Sequence, residues 1–387
     1  MNEFVYSYPT TVYFGKNAAS RHLISALSGA KKVLLVTGKG SVKKTGVFDA
    51  ICSTLHEAGI EIVEFEGIPS NPTWTKVKEG AAVARENNVD YVLALGGGSV
   101  IDASKIIAAQ AVCEEDYWNA FVHEHRIPAG EPIRLGVIVT ASGTGAEMNG
   151  GAVITNEEEN TKTGVFAKAP RFAILDPDYT LTVPRMQVFS GAYDTFCHAL
   201  ESYLGNSDEL SITDDLSIAV MKNTIANMRR LLADINDEQA RANLEWDSAM
   251  AENGILKIGK PTCFQVHMIE HQLGAFTDCN HGQGLAVIEP AYIRHIRFDA
   301  PEKLARMFRE VFDAQGENEQ QVIEDGLRIL NDFLGECALP RTLDELRSKV
   351  EITDEILDQT ADTTTIVSTG PVILTRDDVR SILEDCK

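Results

Sequence analysis

The run YVLALGGGSVIDASKIIAAQAV at residues 91–112 decides the fold of the amino-terminal half of the chain. It begins as a short apolar run, passes through Gly96-Gly97-Gly98-Ser99, and continues with the apolar spacing of a buried helix. Earlier apolar runs at residues 32–37 and 60–65 are each followed by a helical pattern in the same way. Strands that alternate with helices predict a parallel, doubly wound sheet.

The organisation of the chain changes near residue 184. Before it, further strands are predicted at residues 4–15, 135–139 and 172–175, with a hairpin at 152–155 and 163–167. After it, apolar residues recur at helical spacing. The predicted helices are residues 192–204, 216–232, 239–256, 264–274, 284–295, 301–312, 319–334, 354–362 and 377–385. We therefore expect an α/β domain over residues 1–183 and an all-helical domain over residues 184–387.

Composition limits the partners and the compartment. The chain has 387 residues, more than one core usually holds, which fits two domains. The formal charge of −22 disfavours nucleic acid and anionic membrane surfaces, and we expect neither as a partner. No segment approaches the ~20 apolar residues of a membrane span, and the first residues lack a signal-peptide pattern. Seven cysteines without a CxxC pair indicate reduced thiols in the cytoplasm.

Glycine-rich or small polar segments follow three of the predicted strands, where such sheets bind ligands. In GGGS at 96–99, unobstructed amides and the positive end of the next helix can hold a pyrophosphate, the alternative being a tight turn. Asp102 in that helix suits a dipole role and ligand contact equally. GKGSVKK at 38–44 has three lysines and no acid, which predicts an anion site or otherwise a solvated turn. TASGTGAE at 140–147 predicts a further polar loop.

Histidines and an aspartate of the helical half have the spacing of metal ligands. Asp194 and His198 lie four residues apart, as do His267 and His271, and His281 follows ten residues later. Residues at i and i+4 project from one face of a helix. Imidazole and carboxylate suit zinc or ferrous iron, so these residues predict a divalent metal site. The alternative is scattered polar residues on helices.

Taken together, these motifs resemble those of the iron-containing (group III) alcohol dehydrogenases. The resemblance rests on GGGSxxD at 96–102, TxxGTGxE at 140–147, LDP at 175–177, HMIEH at 267–271 and the order of the metal residues. It covers essentially the whole chain and is nearest to the NADPH-dependent aldehyde reductase and butanol dehydrogenase branch. It implies a Rossmann-like amino-terminal domain, an all-helical carboxy-terminal domain and a homodimer that pairs amino-terminal strands.

The resemblance also implies roles for individual residues. One Fe²⁺ or Zn²⁺ would be bound by Asp194, His198, His267 and His281. Gly97, Gly98, Ser99 and Asp102 would hold the pyrophosphate and the nicotinamide ribose. Thr140, Ser142 and Thr144 would line the path of the adenine and nicotinamide. Lys162 would also lie near the nicotinamide ribose. His271 would lie near the nicotinamide without binding the metal. It is our candidate to relay a proton, and a packing role is the alternative.

The residue after the first strand of the alternating pattern bears on the choice of cofactor. NAD-dependent members of the family tend to carry an acid there, which bonds the ribose 2′-hydroxyl, whereas this chain has Gly38. Lys39, Ser41 and Lys43 would offer donors to a 2′-phosphate. We therefore expect NADP(H), with NAD(H) as the alternative. Lys39 departs from the glycine that is commoner in the family.

The expected activity is the interconversion of short-chain aliphatic aldehydes and primary alcohols, mainly as aldehyde reduction. The alternatives are an NAD-dependent polyol dehydrogenase of the glycerol type, a lyase similar to dehydroquinate synthase, and a non-catalytic nucleotide-binding protein. Apolar residues such as Leu256 and Phe264 favour an aliphatic substrate over a polyol. Catalytic zinc sites usually have three protein ligands and four are available here, so the sequence leaves iron and zinc open.

Overall fold

The computed structural model describes residues 2–206 and 210–387, which form two compact units. The first unit is Ser7–Val183, and the second joins residues 2–6 to Pro184–Lys387. A parallel sheet with helices in the first unit and helices in the second confirm the predicted fold class. Residues 2–6 were expected in the α/β domain but belong to the helical unit, where the N–H of Asn2 donates to the carbonyl of Gly259 (2.8 Å).

The α/β unit alternates strands and helices along the chain. Its elements are β1 Thr11–Phe14, α1 Ala18–Ala26, β2 Lys32–Gly38, α2 Ser41–Lys44, α3 Val47–Glu57, β3 Glu61–Ile68, α4 Trp74–Glu86, β4 Tyr91–Gly96, α5 Gly98–Gln110, β5 Arg134–Val139, β6 Gly151–Asn156, β7 Thr161–Phe166, β8 Phe172–Leu175 and α6 Pro177–Thr180. Short helical turns at Asn119–His123 and Ala146–Met148 complete it.

Six strands form one parallel sheet in the order β1-β8-β5-β4-β2-β3, and β6 and β7 form a separate antiparallel hairpin. The connection from β2 to β3 runs to one side of β2, and β4 lies on its other side. The segments after β2 and β4 therefore leave the sheet at the point where the strand order reverses, which is where ligands of such sheets bind.

Both faces of the central strands are buried, which explains their continuous apolar runs. Alternate residues point to opposite faces. Val33 and Leu35 of β2 and Leu93 of β4 pack in one cluster with α1 and α3. Helix α5 lies against β4, β2 and β5, and Val100 approaches Gly38 from it.

The helical unit is built from nine described helices. They are α7 Arg185–Tyr203, α8 Ile212–Ala233, α9 Glu238–Glu252, α10 Gln265–Thr277, α11 His281–Ile296, α12 Pro301–Phe312, α13 Glu319–Glu336, α14 Asp354–Thr363 and α15 Arg376–Glu384. The N-caps of α8, α14 and α15 are Ser211, Thr353 and Thr375, as their sequence positions predict. Among the described residues, no helix is both long and apolar enough to cross a membrane.

Some predicted element limits were wrong. The predicted strand at residues 4–15 is reduced to β1. Helix α1 was not predicted, and its nine residues include only two large apolar side chains, Leu23 and Ile24. Helix α7 begins at Arg185, directly after Pro184, and not at residue 192. Helix α9 ends at Glu252, and a separate 3₁₀ turn follows at Ile255–Lys257.

Candidate functional site

Three helices of the second unit bring the predicted metal residues together. Helix α7 carries Asp194 and His198, α10 carries His267, and α11 begins at His281. The Nε2 atoms of the three imidazoles lie 3.4 Å (His198), 3.6 Å (His267) and 3.5 Å (His281) from the same atom, Oδ1 of Asp194. The sequence thus predicted a set of residues that the fold gathers around one point.

The close approach of α7 and α11 depends on a glycine. A Cβ on Gly282 would lie 2.1 Å from the carbonyl oxygen of Ser190, which no side chain allows. The side chain of Asn280 caps α11 by accepting from the N–H of Gln283 (3.1 Å). The glycine and the cap together place His281 at the start of its helix, beside Asp194.

The donor set fits a divalent metal ion. Asp194 Oδ1 and His267 Nε2 are buried, and neither has a hydrogen-bond partner among the described residues. Buried polar atoms are otherwise almost always satisfied. Two ligands at about 2.1 Å from a tetrahedral ion stand about 3.4 Å apart, which matches the observed spacing. Asp194, His267 and His281 also have ligand atoms that all lie within 4.8 Å of one another.

The electrostatics of the site favour positive charge at its centre. Burial raises the pKa of Asp194, but the charges of His198 and His281 lower it by a larger amount. The pKa of Asp194 therefore lies below its ordinary value. Burial lowers the pKa of His267, but Glu201 and Asp194 raise it to about 10. In the absence of a metal, protons on His267 and His281, whose pKa values are raised by the neighbouring carboxylates, therefore balance the negative charge. A divalent cation can supply the same charge.

Three buried glutamates lie on the far side of the imidazoles from Asp194. Oε1 of Glu252 is 3.1 Å from Nδ1 of His198. Glu201 is hydrogen-bonded to Nδ1 of His267, and Glu270 to Nδ1 of His281. The sequence reasoning missed these residues, although Glu201 and Glu270 each follow a ligand histidine by three positions.

His271 lies one helical turn after His267 and is 5% exposed. Its ring centroid is 5.5 Å from that of His281, and its ligand atoms, with those of Glu270 and His281, could also surround an ion. That second set has Glu270 already bonded to His281, and so we favour the set around Asp194. The predicted separation of His271 from the metal ligands stays a prediction.

The aromatic ring of Phe264 borders the site. Its centroid is 5.7 Å from the ring of His198 and 5.1 Å from that of His267. Phe264 is the N-cap of α10 with φ 51°, a left-handed conformation that is unusual for an aromatic residue. Leu256, also predicted near the substrate, is fully buried.

In the α/β unit, the predicted cofactor residues gather at the carboxyl ends of β2, β4 and β5. A Cβ on Gly98 would lie 2.4 Å from Oγ1 of Thr144, so only glycine lets these two loops approach so closely. The N–H of Thr140 donates to the carbonyl of Gly96 (3.0 Å). Gly97 caps α5, whose free amides face the same edge.

Other predicted cofactor residues have partners within the protein. Oδ2 of Asp102 accepts from the N–H of Val153 (2.9 Å), and Oδ1 is 3.3 Å from the buried ammonium of Lys105. The hydroxyl of Ser99 donates to the carbonyl of Ser70. Asp102 thus ties α5 to β6. Lys162 is buried on the neighbouring strand β7.

Acids from a neighbouring strand lie beside the predicted lysine-rich anion site. The ammonium of Lys43 lies 2.7 Å from Glu66 and 3.2 Å from Glu64, both on β3. The local sequence has three lysines and no acid, but acids of β3 balance the charge of Lys43. The anion site itself stays a prediction. Gly38, Lys39 and Ser41 follow the end of β2 as expected, and Lys39 is exposed.

Comparison with known proteins agrees with both units. Residues 9–177 match the family described as iron-containing alcohol dehydrogenase, and residues 188–386 match the Fe-containing alcohol dehydrogenase family, C-terminal. The chain is 35% identical over 359 residues to NADH-dependent butanol dehydrogenase A of Clostridium acetobutylicum, covering 91% of this chain and 92% of the relative. It is 32% identical over 354 residues to NADPH-dependent aldehyde reductase YqhD of Escherichia coli, covering 89% of each. The crystal structure of NADH-dependent butanol dehydrogenase A from Thermotoga maritima has a TM-score of 0.92 at 33% identity, covering 100% of this chain and 99% of that one.

Proposed function

Because the chain belongs to the iron-containing alcohol dehydrogenase family and is a nicotinamide-dependent oxidoreductase of alcohols and aldehydes, we propose that it reduces short-chain aliphatic aldehydes to primary alcohols with NADP(H). The observation that carries the proposal is the convergence of three Nε2 atoms on one buried oxygen of Asp194. A structural or purely nucleotide-binding protein has no use for such a set.

Each unit contributes its own part to the reaction. Asp194 with His198, His267 and His281 would hold one Fe²⁺, with Zn²⁺ as the alternative, and the loops after β2, β4 and β5 would hold the cofactor. When bound, the metal supplies Lewis acidity toward a carbonyl oxygen, and the nicotinamide supplies the hydride. His271 would move the proton that completes the alcohol. Its position one turn after His267 supports this role.

The surroundings of the metal residues support an apolar substrate. The ring of Phe264 lies against two of the four proposed ligands, and such a wall favours an alkyl chain over the hydroxyl groups of a polyol. The NAD-dependent polyol dehydrogenase remains the second candidate, and its substrate would need polar groups beside these rings.

The end of β2 supports NADP(H). Gly38 offers no carboxylate to repel a 2′-phosphate, and Lys39 and Ser41 offer donors. Lys43 would have to exchange Glu66 for the phosphate. Relatives named for NADH and for NADPH are about equally similar to this chain, so the residues of this loop carry the proposal.

We also propose a homodimer in the cytoplasm. Phe4, Val5 and Tyr6 are 49%, 96% and 42% exposed and precede the edge strand β1, which supports pairing with a second copy. All seven cysteines are free thiols, which supports a reducing compartment. Light scattering of the full chain and of a chain lacking residues 1–8 tests the dimer: the shortened chain should be monomeric.

One assay tests the activity. The full-length protein should consume NADPH in the presence of butanal, lose this activity on chelation, and regain it with Fe²⁺ or Zn²⁺. The kcat/KM for NADPH should exceed that for NADH, and glycerol with NAD should react far more slowly. Butanal turnover that survives complete metal removal would reject the metal site, and a clear preference for NADH would reject the cofactor.

A further inference from the structure

Each of the three glutamates behind the imidazoles lies beside the Nδ1 atom of one ring, with hydrogen bonds at Glu201 and Glu270 and a 3.1 Å approach at Glu252. Glu201 and Glu270 are 0% exposed and Glu252 is 7% exposed. Each contacts the Nδ1 atom of a different histidine, and the three rings turn their Nε2 atoms toward Asp194. The contacts come from α9, α7 and α10, so no single helix imposes them.

This geometry determines which ring nitrogen carries the hydrogen. An ionised carboxylate can only accept a hydrogen bond, so an adjacent neutral imidazole must carry its proton on Nδ1. The lone pair is then on Nε2. With all three rings in this tautomer, the three lone pairs point at the region beside Asp194 Oδ1.

Glu201, a residue of α7, also hydrogen-bonds the first amides of α10, the helix that carries His267. Its Oε1 accepts from the N–H of Val266 (2.7 Å), and its Oε2 accepts from the N–H of His267 (3.2 Å). Phe264, the N-cap of α10, has no side-chain oxygen to serve these amides. A carboxylate of α7 therefore caps α10 and orients the ring of His267 at the same time.

Glu252 is fixed from its other side. The ammonium of Lys257 lies 2.9 Å from Oε2, and this leaves Oε1 toward His198. The same ammonium lies 4.7 Å from the ring centroid of Phe264. The orientation of His198 thus depends on Lys257 through Glu252.

We propose that Glu201, Glu252 and Glu270 are positioning residues that select the Nδ1–H tautomer of the three histidines and so present Nε2 to the metal. Glu201 has the largest effect because it also fixes the start of α10. The inference rests on the metal site of the proposed function. Hydrogen bonds of this kind typically change metal affinity by about 10- to 100-fold.

Glutamine variants separate tautomer choice from side-chain size. Glutamine has the shape of glutamate, but its amide can turn an N–H₂ group to Nδ1 and stabilise the Nε2–H tautomer instead. In the full-length protein, we expect Glu201→Gln and Glu270→Gln to weaken Zn²⁺ binding about 10- to 100-fold in competition with a chromophoric chelator. The matched control is Glu289→Gln on α11, a fully buried carboxyl that is not one of the three carboxylates beside the Nδ1 atoms. It should change Zn²⁺ affinity less than about twofold.

A spectroscopic readout identifies the cause. Long-range ¹H–¹⁵N spectra of the metal-free, histidine-labelled protein are recorded above the pKa of about 10 of His267, where its ring is neutral. They should show a shift of His267 toward Nε2–H in Glu201→Gln and none in Glu289→Gln. Because a Glu201 variant also loses part of a helix cap, Glu252→Gln supplies the same test for His198 if Glu201→Gln lowers the Tm. Unchanged Zn²⁺ affinity in folded Glu252→Gln and Glu270→Gln would overturn this inference. A wild-type chain that binds no Zn²⁺ or Fe²⁺ would instead overturn the proposed function.

Discussion

The ammonium of Lys43 lies 2.7 Å from Oε2 of Glu66, a residue of the neighbouring strand β3. The hydrogen bond that Lys43 donates to Glu66 lowers the pKa of Glu66 and raises the pKa of Lys43. The lysine is therefore charged but balanced. A 2′-phosphate at the end of β2 would compete with Glu66 for this ammonium.

Removing the competing acid should shift cofactor preference. We expect Glu66→Gln to raise the ratio of kcat/KM for NADPH to that for NADH by about two- to fivefold, the size usual for exposed charge pairs. The matched control is Glu61→Gln at the other end of β3, where Glu61 pairs with Lys32 (2.8 Å). Equal ratios in the two variants would contradict a role for Lys43 in phosphate binding.

The fold explains why the ion pair between Lys43 and Glu66 could not be predicted from the sequence. Glu64 and Glu66 alternate with Phe65 on β3, which predicts that they share one face. Which lysines they meet depends on the parallel pairing of β2 with β3, in which Leu35 is opposite Glu64. Local pattern identifies a strand and its faces, but its neighbour is a long-range property.

For the same reason, the metal residues could be predicted from the sequence and the glutamates around them could not. Histidines four apart on an apolar helix are rare enough to stand out. The sequence around Glu201, by contrast, does not show whether its carboxylate is buried or exposed. Its burial depends on α10 beginning at Gln265, where two amides need an acceptor. The continuous apolar strands β2, β4 and β8 were predictable within a residue or so because both of their faces are buried.

The proposed role of His271 can be separated from metal binding. We expect His271→Ala to lower kcat about 10²-fold or more and to remove a limb from the pH profile of kcat, as loss of a proton relay does. The metal content of the variant should equal that of the wild type, whereas His267→Ala should lose the metal. An unchanged kcat and pH profile would show that His271 has only a packing role.

Gly282 is expected to control the spacing of α7 and α11. A methyl group in Gly282→Ala would meet the carbonyl oxygen of Ser190 at 2.1 Å and push the helices apart. We expect a loss of about 1–3 kcal/mol in the free energy of unfolding, with weaker Zn²⁺ binding because His281 moves from Asp194. Gly164→Ala, where a Cβ meets nothing within 4 Å, is the control and should change neither. Wild-type Zn²⁺ affinity in Gly282→Ala would show that this spacing does not set the site.

The buried ion pair between Lys260 and Asp214 is expected to contribute to stability outside the metal site. The ammonium lies 2.6 Å from Oδ1, and the side chains are 2% and 0% exposed. Lys260→Met leaves a buried carboxylate without its cation and should cost about 3–5 kcal/mol in urea unfolding. The double variant Asp214→Asn with Lys260→Met removes the stranded charge and should recover at least about half of that loss. A double variant no more stable than Lys260→Met would show that the charge is not the cause.

Asp247 is expected to make stability depend on pH in the helical unit. It is 5% exposed, and burial raises its pKa from 3.8 to about 6, although Asn223 and Thr224 hydrogen-bond its carboxylate and lower it. Between these two pKa values the folded chain binds more protons than the unfolded chain, so this group's contribution to stability falls as pH rises and is lowest above about pH 6.

Asp247→Asn removes the charge but keeps an oxygen to accept from Asn223. We expect the variant to be about 1–3 kcal/mol more stable than wild type at about pH 8 and no more stable at about pH 4, measured by urea unfolding. Asp332→Asn on α13, 61% exposed, should show no such pH-dependent gain. A gain for Asp247→Asn that is equal at the two pH values would mean that improved packing, and not loss of the buried charge, stabilises the variant.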